Sequence, residues 1–255
     1  MDLGLDGKRI MVGGASRGLG AAIAHTLAQE GARVVTVARE SPELSATAAR
    51  ISAVPIAADL STTDGPGDAV RGAIEALGGL DGLVVNSGGP PMGSLETLDE
   101  AAWDRAIDGT LRAAIRTIRA ALPALREAPE AAILIVLSSS VREPIPNLLT
   151  SNVIRPGLNG LIKSLVTEIA PIRVNGLAPG RVDTERIRNL DRERADKAST
   201  SVDEVQAETR ARIPLGRYGD PAEVGRVGAF LLSRAASYVN GVVVGVDGGM
   251  IRSLP

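Results

Sequence analysis

The sequence predicts one α/β domain, a doubly wound parallel sheet of about seven strands with helices on both faces. Three observations carry that expectation. Short, fully apolar, β-branched runs alternate with helical patterns along nearly the whole chain, and strands that lack a polar alternation are those buried on both faces. Hydrophobic residues fill 44% of the 255 positions but aromatics only 2%, so a sizeable core has to be packed from Ala, Val, Leu and Ile. No linker-like stretch divides the chain and no internal repeat is visible, so residues 1–255 read as a single domain.

The elements follow in order. The run from Lys8 to Val12 is the first strand. It meets a glycine-rich turn and then an alanine-rich helical pattern. Arg33 to Ala38 is the second strand, Val54 to Ala58 the third, and Asp68 to Leu77 has helical spacing. Leu83 to Val85 is the fourth strand and Ile133 to Leu137 the fifth, with a helix around Trp103 to Leu125 between them. A further helix closes at Ile162 to Ile169, with Pro156 early in it. Arg173 starts the sixth strand, and Val242 to Val246 is the seventh. From Arg181 to Arg212 the rhythm breaks. Half of that segment is charged and apolar residues are sparse, which predicts a mobile, partly helical excursion. Its two readings are a solvated face and a lid on the substrate side.

Composition removes several function classes. There is no cysteine, so disulfides, thiolate metal sites and cysteine nucleophiles are excluded. The single histidine, His25, falls in the first helix, which leaves no histidine-based metal site. A net charge of -2 argues against a nucleic-acid footprint. No apolar run reaches membrane-spanning length, and residues 1–6 lack the basic and apolar regions of a signal peptide. A cytoplasmic protein acting on a small molecule is the expectation.

The chemistry-bearing residues collect just after strands. Gly14, Gly18 and Gly20 form a GxxxGxG turn. There the backbone can bend tightly and the following helix can aim its unpaired N–H groups at an anion. Asp59 follows the third strand, Asn86-Ser87-Gly88-Gly89 the fourth, Ser138-Ser139 the fifth, and Pro179-Gly180 with Thr184 the sixth. Val246-Asp247-Gly248-Gly249 lies near the C-terminus. In a doubly wound sheet ligands bind beyond the carboxyl ends of the strands, so these positions converge on one edge.

In these motifs, and over essentially its full length, the chain resembles the short-chain dehydrogenase/reductase family. The resemblance implies a Rossmann-type fold. It also implies a dinucleotide lying along the turn (Gly14, Ser16, Arg17, Gly18, Leu19, Gly20), Asp59-Leu60, Asn86-Ser87-Gly88 and Pro179-Gly180 with Val182. Asp59 would contact the adenine. At the end of the second strand Ala38 stands where NAD-preferring relatives carry an acid, and Arg39 follows. Arg39 and Arg17 would pair with a 2′-phosphate, which favours NADP. Glu40, one residue on, is the argument for NAD, and an ordinary surface arginine is the plain reading of Arg39.

The family's catalytic pattern is where the resemblance fails. Its proton donor is a tyrosine in YxxxK, its lysine holds the nicotinamide ribose, and a serine and a helical asparagine complete the set. Aligned through Gly157-Leu158 and Lys163-Ser164-Leu165, the tyrosine position falls on Ser151 and the lysine position on Arg155. The asparagine position falls on Thr110. No tyrosine precedes Tyr218, so no shift of register recovers one. Only the serine is kept, as Ser139, with Ser138 and Ser140 as register alternatives.

The expected catalytic set is therefore Ser139, Ser151 and Arg155, and Arg155 is also expected among the cofactor-binding residues, holding the nicotinamide ribose in place of the family's lysine. Glu143 is a candidate acid if burial raises its pKa, Asn152 is a candidate hydrogen-bond donor to substrate, and Tyr218 and Tyr238 fall in structural segments. Arg142, Arg155 and Arg181 would make the site cationic and suit an acidic substrate. The chain resembles a subgroup of reductase-like proteins, similar to 3-oxoacyl carrier-protein reductases, with Asn-Ser-Gly-Gly and Ser-Asn-x-x-Arg in these places. Two functions follow as expectations. One is an NADP-dependent carbonyl/alcohol oxidoreductase with an altered proton route. The other is a non-catalytic dinucleotide-binding protein. The family implies a homotetramer or homodimer through the helices around Trp103 and Lys163 and the segment Gly241 to Val246.

Overall fold

A computed structural model describes residues 2–253. Its core is one seven-stranded sheet, every pairing parallel, in the order β3-β2-β1-β4-β5-β6-β7. The strands are β1 (Arg9–Gly13), β2 (Arg33–Ala38), β3 (Val54–Ala57), β4 (Gly82–Val85), β5 (Ala132–Val136), β6 (Arg173–Pro179) and β7 (Val243–Val246). Each lies within a residue or two of where the apolar runs put it, apart from the longer β6.

Two-residue alternation sorts each strand's side chains between two cores. Met11, Val35, Val37, Leu83, Val85, Ile133 and Ile135 face one layer of helices: α3 (Gly65–Leu77), α5 (Ala113–Arg126) and α6 (Leu149–Glu168). Ile10, Val12, Val34, Val84, Ala132 and Leu134 face the other: α1 (Gly18–Gln29) and α9 (Pro221–Leu232). Strand order reverses between β1 and β4, and the crevice opened there is where such sheets take ligands.

Three regions differ from the sequence reading. The helix expected from Trp103 to Leu125 is α4 (Glu100–Ala106) joined to α5 through a π-helical turn, Ile107–Arg112, with the buried Thr110 inside it. Pro156, which the sequence puts early in this helix at either of two depths, takes the deeper one, seven residues past the start of α6. Its missing N–H therefore leaves a gap in the helix ladder. The charged excursion is ordered into two helices, α7 (Glu185–Ala198) and α8 (Val202–Ala211). Thr184 caps α7, a reciprocal Ser201–Glu204 capping box starts α8, and Ala195 and Val205 are buried. Sparse apolar residues suffice because capping carries part of the helical stability. Helix α2 (Pro42–Arg50), capped by Ser41, and helix α9 add to the elements read from periodicity. Among the described residues no helix is long and apolar enough to cross a membrane, and no cluster of His, Cys, Asp or Glu fits a metal ion.

Candidate dinucleotide and carbonyl site

The glycine turn closes onto the crevice. Gly14 and Gly18 take φ of +56° and +61°, left-handed values that a side chain resists. A Cβ at Gly20 would run into the Gly14 carbonyl, and one at Gly14 would stand 2.6 Å from Asn86 Nδ2. Asn86 holds this arrangement from β4, donating to the carbonyls of Gly13 (3.1 Å) and Gly14 (3.3 Å). Thr47 of α2 donates to the Ser16 carbonyl at 2.9 Å, fixing the far side of the turn.

Helix α1 has no side-chain cap and no acid in its first turn. It shares the missing cap with α3, α5 and α6, whereas α2, α4, α7, α8 and α9 are capped by Ser41, Asp99, Thr184, Ser201 and Asp220. Uncapped amides behind a glycine cradle fit the pyrophosphate of a dinucleotide.

The other expected contacts surround that cradle. Leu60 packs beside Gly13, and Leu19 lies in the first turn of α1. Ser87 and Gly88 follow Asn86 along the loop after β4. Asp59 accepts from the Ser61 backbone (2.9 Å) and hydroxyl (2.7 Å). Those bonds, with a lesser contribution from the charge of Arg39, hold its carboxyl below the usual carboxylate range. Arg39 and Arg17 are exposed, and Arg17 pairs with Glu185 of α7 at 2.9 Å. On the opposite side Gly180 is tied to the Val246 carbonyl, while buried Val182 bridges to Gly219.

At the β5 end, Ser140 rather than Ser139 meets the former tyrosine position. Its hydroxyl lies 3.1 Å from Ser151 Oγ, and both residues are buried. Ser138 instead caps the short helical turn that follows, and the buried Ser139 makes no hydrogen bond to Ser151. The register choice turns on that turn: once Ser138 caps it, the third serine points back at α6.

Arg155, one helical turn beyond Ser151, donates to the Val136 carbonyl at 2.9 Å. Its side chain keeps some surface, but the guanidinium is packed in. Burial first, and the positive charge of Arg186 second, push its pKa down to about 10. It remains a cation at neutral pH.

The alternatives considered for the proton fall away. Glu143 is exposed, without the burial that role needs. Asn152 spends both halves of its amide on the Ile145 backbone at 2.9 Å, clamping the loop after β5 rather than facing a substrate. Tyr218 donates to Asp191 in the charged excursion at 2.9 Å, and burial pushes its pKa up. Tyr238 is fully exposed.

Nor do all three expected arginines converge. Arg142 reaches the Val243 carbonyl and Arg181 faces Asp191 at 3.6 Å. The second cation at the site is Arg186, from the first turn of α7. It lies against Gly89 and donates to the Pro90 carbonyl. Its place two residues after Thr184 was the available signal, masked by the charge density around it.

Comparison with known proteins agrees with this geometry. The enoyl-(acyl carrier protein) reductase family model matches residues 14–251. Dehydrogenase/reductase SDR family member 4 of Bos taurus is 32% identical, covering 98% of this chain and 89% of the relative. The 3-oxoacyl-[acyl-carrier-protein] reductase of Thermotoga maritima is 31% identical, covering 97% of this chain and 99% of the relative. Among solved structures, L-sorbose reductase from Gluconobacter frateurii complexed with NADPH and L-sorbose superposes with a TM-score of 0.94 at 29% identity, covering 100% of both chains. The sheet order, the glycine cradle and the full-length match agree: this chain belongs to the short-chain dehydrogenase/reductase family of oxidoreductases.

Proposed function

We propose that the chain is an NADP(H)-dependent oxidoreductase that interconverts a carbonyl and an alcohol without a phenolic proton donor. The observation that carries this reading is the Ser140–Ser151 hydroxyl pair, one helical turn from the cationic Arg155, at the strand edge that holds the glycine cradle. When bound, the nicotinamide supplies a hydride to the carbonyl carbon or takes one from the alcohol carbon. The two hydroxyls orient the substrate oxygen. Arg155 stabilises negative charge developing on that oxygen, the role in which fixed charge contributes most. It does not release its own proton at neutral pH, and an aliphatic hydroxyl is a far weaker acid than a phenol of pKa about 10. The proton that completes the alcohol therefore comes from solvent.

Preference for NADP rests on Arg39 and Arg17 at the adenosine end, and the NADPH in the L-sorbose reductase complex is consistent with it. The purified protein titrated by nicotinamide fluorescence is expected to bind NADPH more tightly than NADH, and then to oxidise NADPH with a carbonyl substrate. Binding of neither nucleotide overturns the reading.

A second reading, a dinucleotide-binding protein without turnover, is favoured by one set of observations: Ser151, Arg155 and Thr110 all replace the family's catalytic residues. The double variant S151Y/R155K separates the two. If only that variant turns over carbonyls, the natural chain is a binder. Assembly through α4–α5 and α6 in the cytoplasm belongs to the same reading, and a monomer mass by light scattering would remove the oligomer from it.

A further inference from the structure

The twelve carboxylate pairs found among the described residues include neither Arg155 nor Arg186. Each donates only to a backbone carbonyl, of Val136 and Pro90 respectively, which leaves most of two guanidinium forks unused. The acid whose charge acts on Arg186 is Glu193, two turns along α7, and the two form no ion pair. Arg186 is also placed where a cation is least at home, in the first turn of a helix. Gly89 lets its guanidinium lie flat on the loop after β4, because a Cβ there would collide with it. The packed-in Arg155 and the exposed Arg186 act on each other as like charges, neither held by a carboxylate pair among the described residues, and that repulsion is offset when a ligand brings the anion.

Resting on the oxidoreductase reading above, we propose that Arg186 and Arg155 form an anion seat, and that the substrates are carbonyl compounds carrying a carboxylate. The pyrophosphate of the cofactor is the other possible source of negative charge. Thr184 and Glu185 bring the start of α7 against the glycine turn, while the Arg186 guanidinium lies on the loop after β4 and Arg155 reaches the end of β5, so the experiment is built to separate the two sources.

The test uses 2-oxobutanoate, acetoacetate and levulinate, each beside its methyl ester, with NADPH-bound protein. Two quantities are read: kcat/KM, and binding by saturation-transfer NMR. At least one acid is expected to be preferred over its ester by 10-fold or more in both. Arg186→Gln should bring that ratio close to one, Arg186→Lys should restore part of it, and NADPH affinity should change less than threefold.

Equal handling of acids and esters, or no acid binding at any chain length, overturns the seat. So does an R186Q variant that loses NADPH affinity while keeping the acid preference, since the guanidinium then serves the cofactor phosphate. An acid preference in binding without any NADPH oxidation upholds the seat and overturns the oxidoreductase reading.

Discussion

The two ends of the cleft are built on opposite principles. At the glycine cradle the working groups are backbone amides, and the residues that matter are those that keep side chains out of the way. Gly14, Gly18 and Gly20 are also what lets β1 turn into α1, so fold and function there share one requirement. At the serine–arginine end the groups on which the proposed chemistry rests are side chains. A desolvated guanidinium and a buried pair of hydroxyls are held by elements that would fold as well without them. A change at the first end should lower stability and binding together. A change at the second should separate them.

The largest expected effect tests the first half of that contrast. Gly20→Ala drives a methyl into the Gly14 carbonyl. NADPH affinity should fall by about 100-fold or more, and stability by about 1–3 kcal/mol, as for overpacking in a tight site. Fluorescence titration and denaturant melts of the same preparation check both, and an intact affinity would break the comparison.

The second half is tested by Arg155→Met. The rate of carbonyl reduction should drop by about 100- to 1,000-fold while stability stays level or rises, because a desolvated charge is exchanged for apolar packing. The pH dependence has a defined sign. The folded pKa of Arg155 is pushed down to about 10, below that of an ordinary guanidinium. Activity that needs its charge is therefore flat through neutral pH and lost as pH passes about 10. From about pH 10 up to the ordinary guanidinium range the unfolded chain holds more protons, so this group's contribution to stability rises with pH in that window. A rate that declines already near pH 7–8 would assign the step to another group.

Smaller effects sharpen the picture. Arg39→Ala should weaken NADPH about 10-fold and NADH hardly at all, since only the former carries the 2′-phosphate. Ser201→Ala removes half of the α8 capping box and should cost about 1 kcal/mol in a thermal melt, with NADPH affinity unchanged.

The same contrast explains what could be read from the residues alone. The strands were visible because burial on both faces leaves no polar alternation. The cradle was visible because a backbone site advertises itself through glycine. Asn86, Asp59 and Leu60 stand near the crevice because each follows a strand end. The serine register was not legible, because Ser138, Ser139 and Ser140 are chemically identical, and only the capping bond of Ser138 decides which one turns toward Ser151. The anion seat was half seen. Arg155 was found through its alignment, but Arg186 arrives from α7 by tertiary packing, and a segment half charged gives no hint of which arginine turns inward. The π-helical turn around Thr110 and the depth of Pro156 in α6 escaped for a related reason. Both are departures from regular helix that periodicity smooths over.

The reversal of strand order between β1 and β4 has a thermodynamic consequence. The cradle draws on Gly13 and Gly14, on Asn86 more than seventy residues later, and on α7 through the Arg17–Glu185 pair. No short fragment of the chain contains all three, so a dinucleotide bound there would recognise the assembled sheet and have nothing comparable to hold in the unfolded chain. Occupancy is then linked to folding. At a nucleotide concentration 100 times Kd the native state gains about 2.7 kcal/mol. That is a sizeable share of the roughly 5–15 kcal/mol by which domains outlast their unfolded ensembles. The lifetime of this protein in a cell would then follow the size of the nicotinamide pool, whatever the flux through its active site.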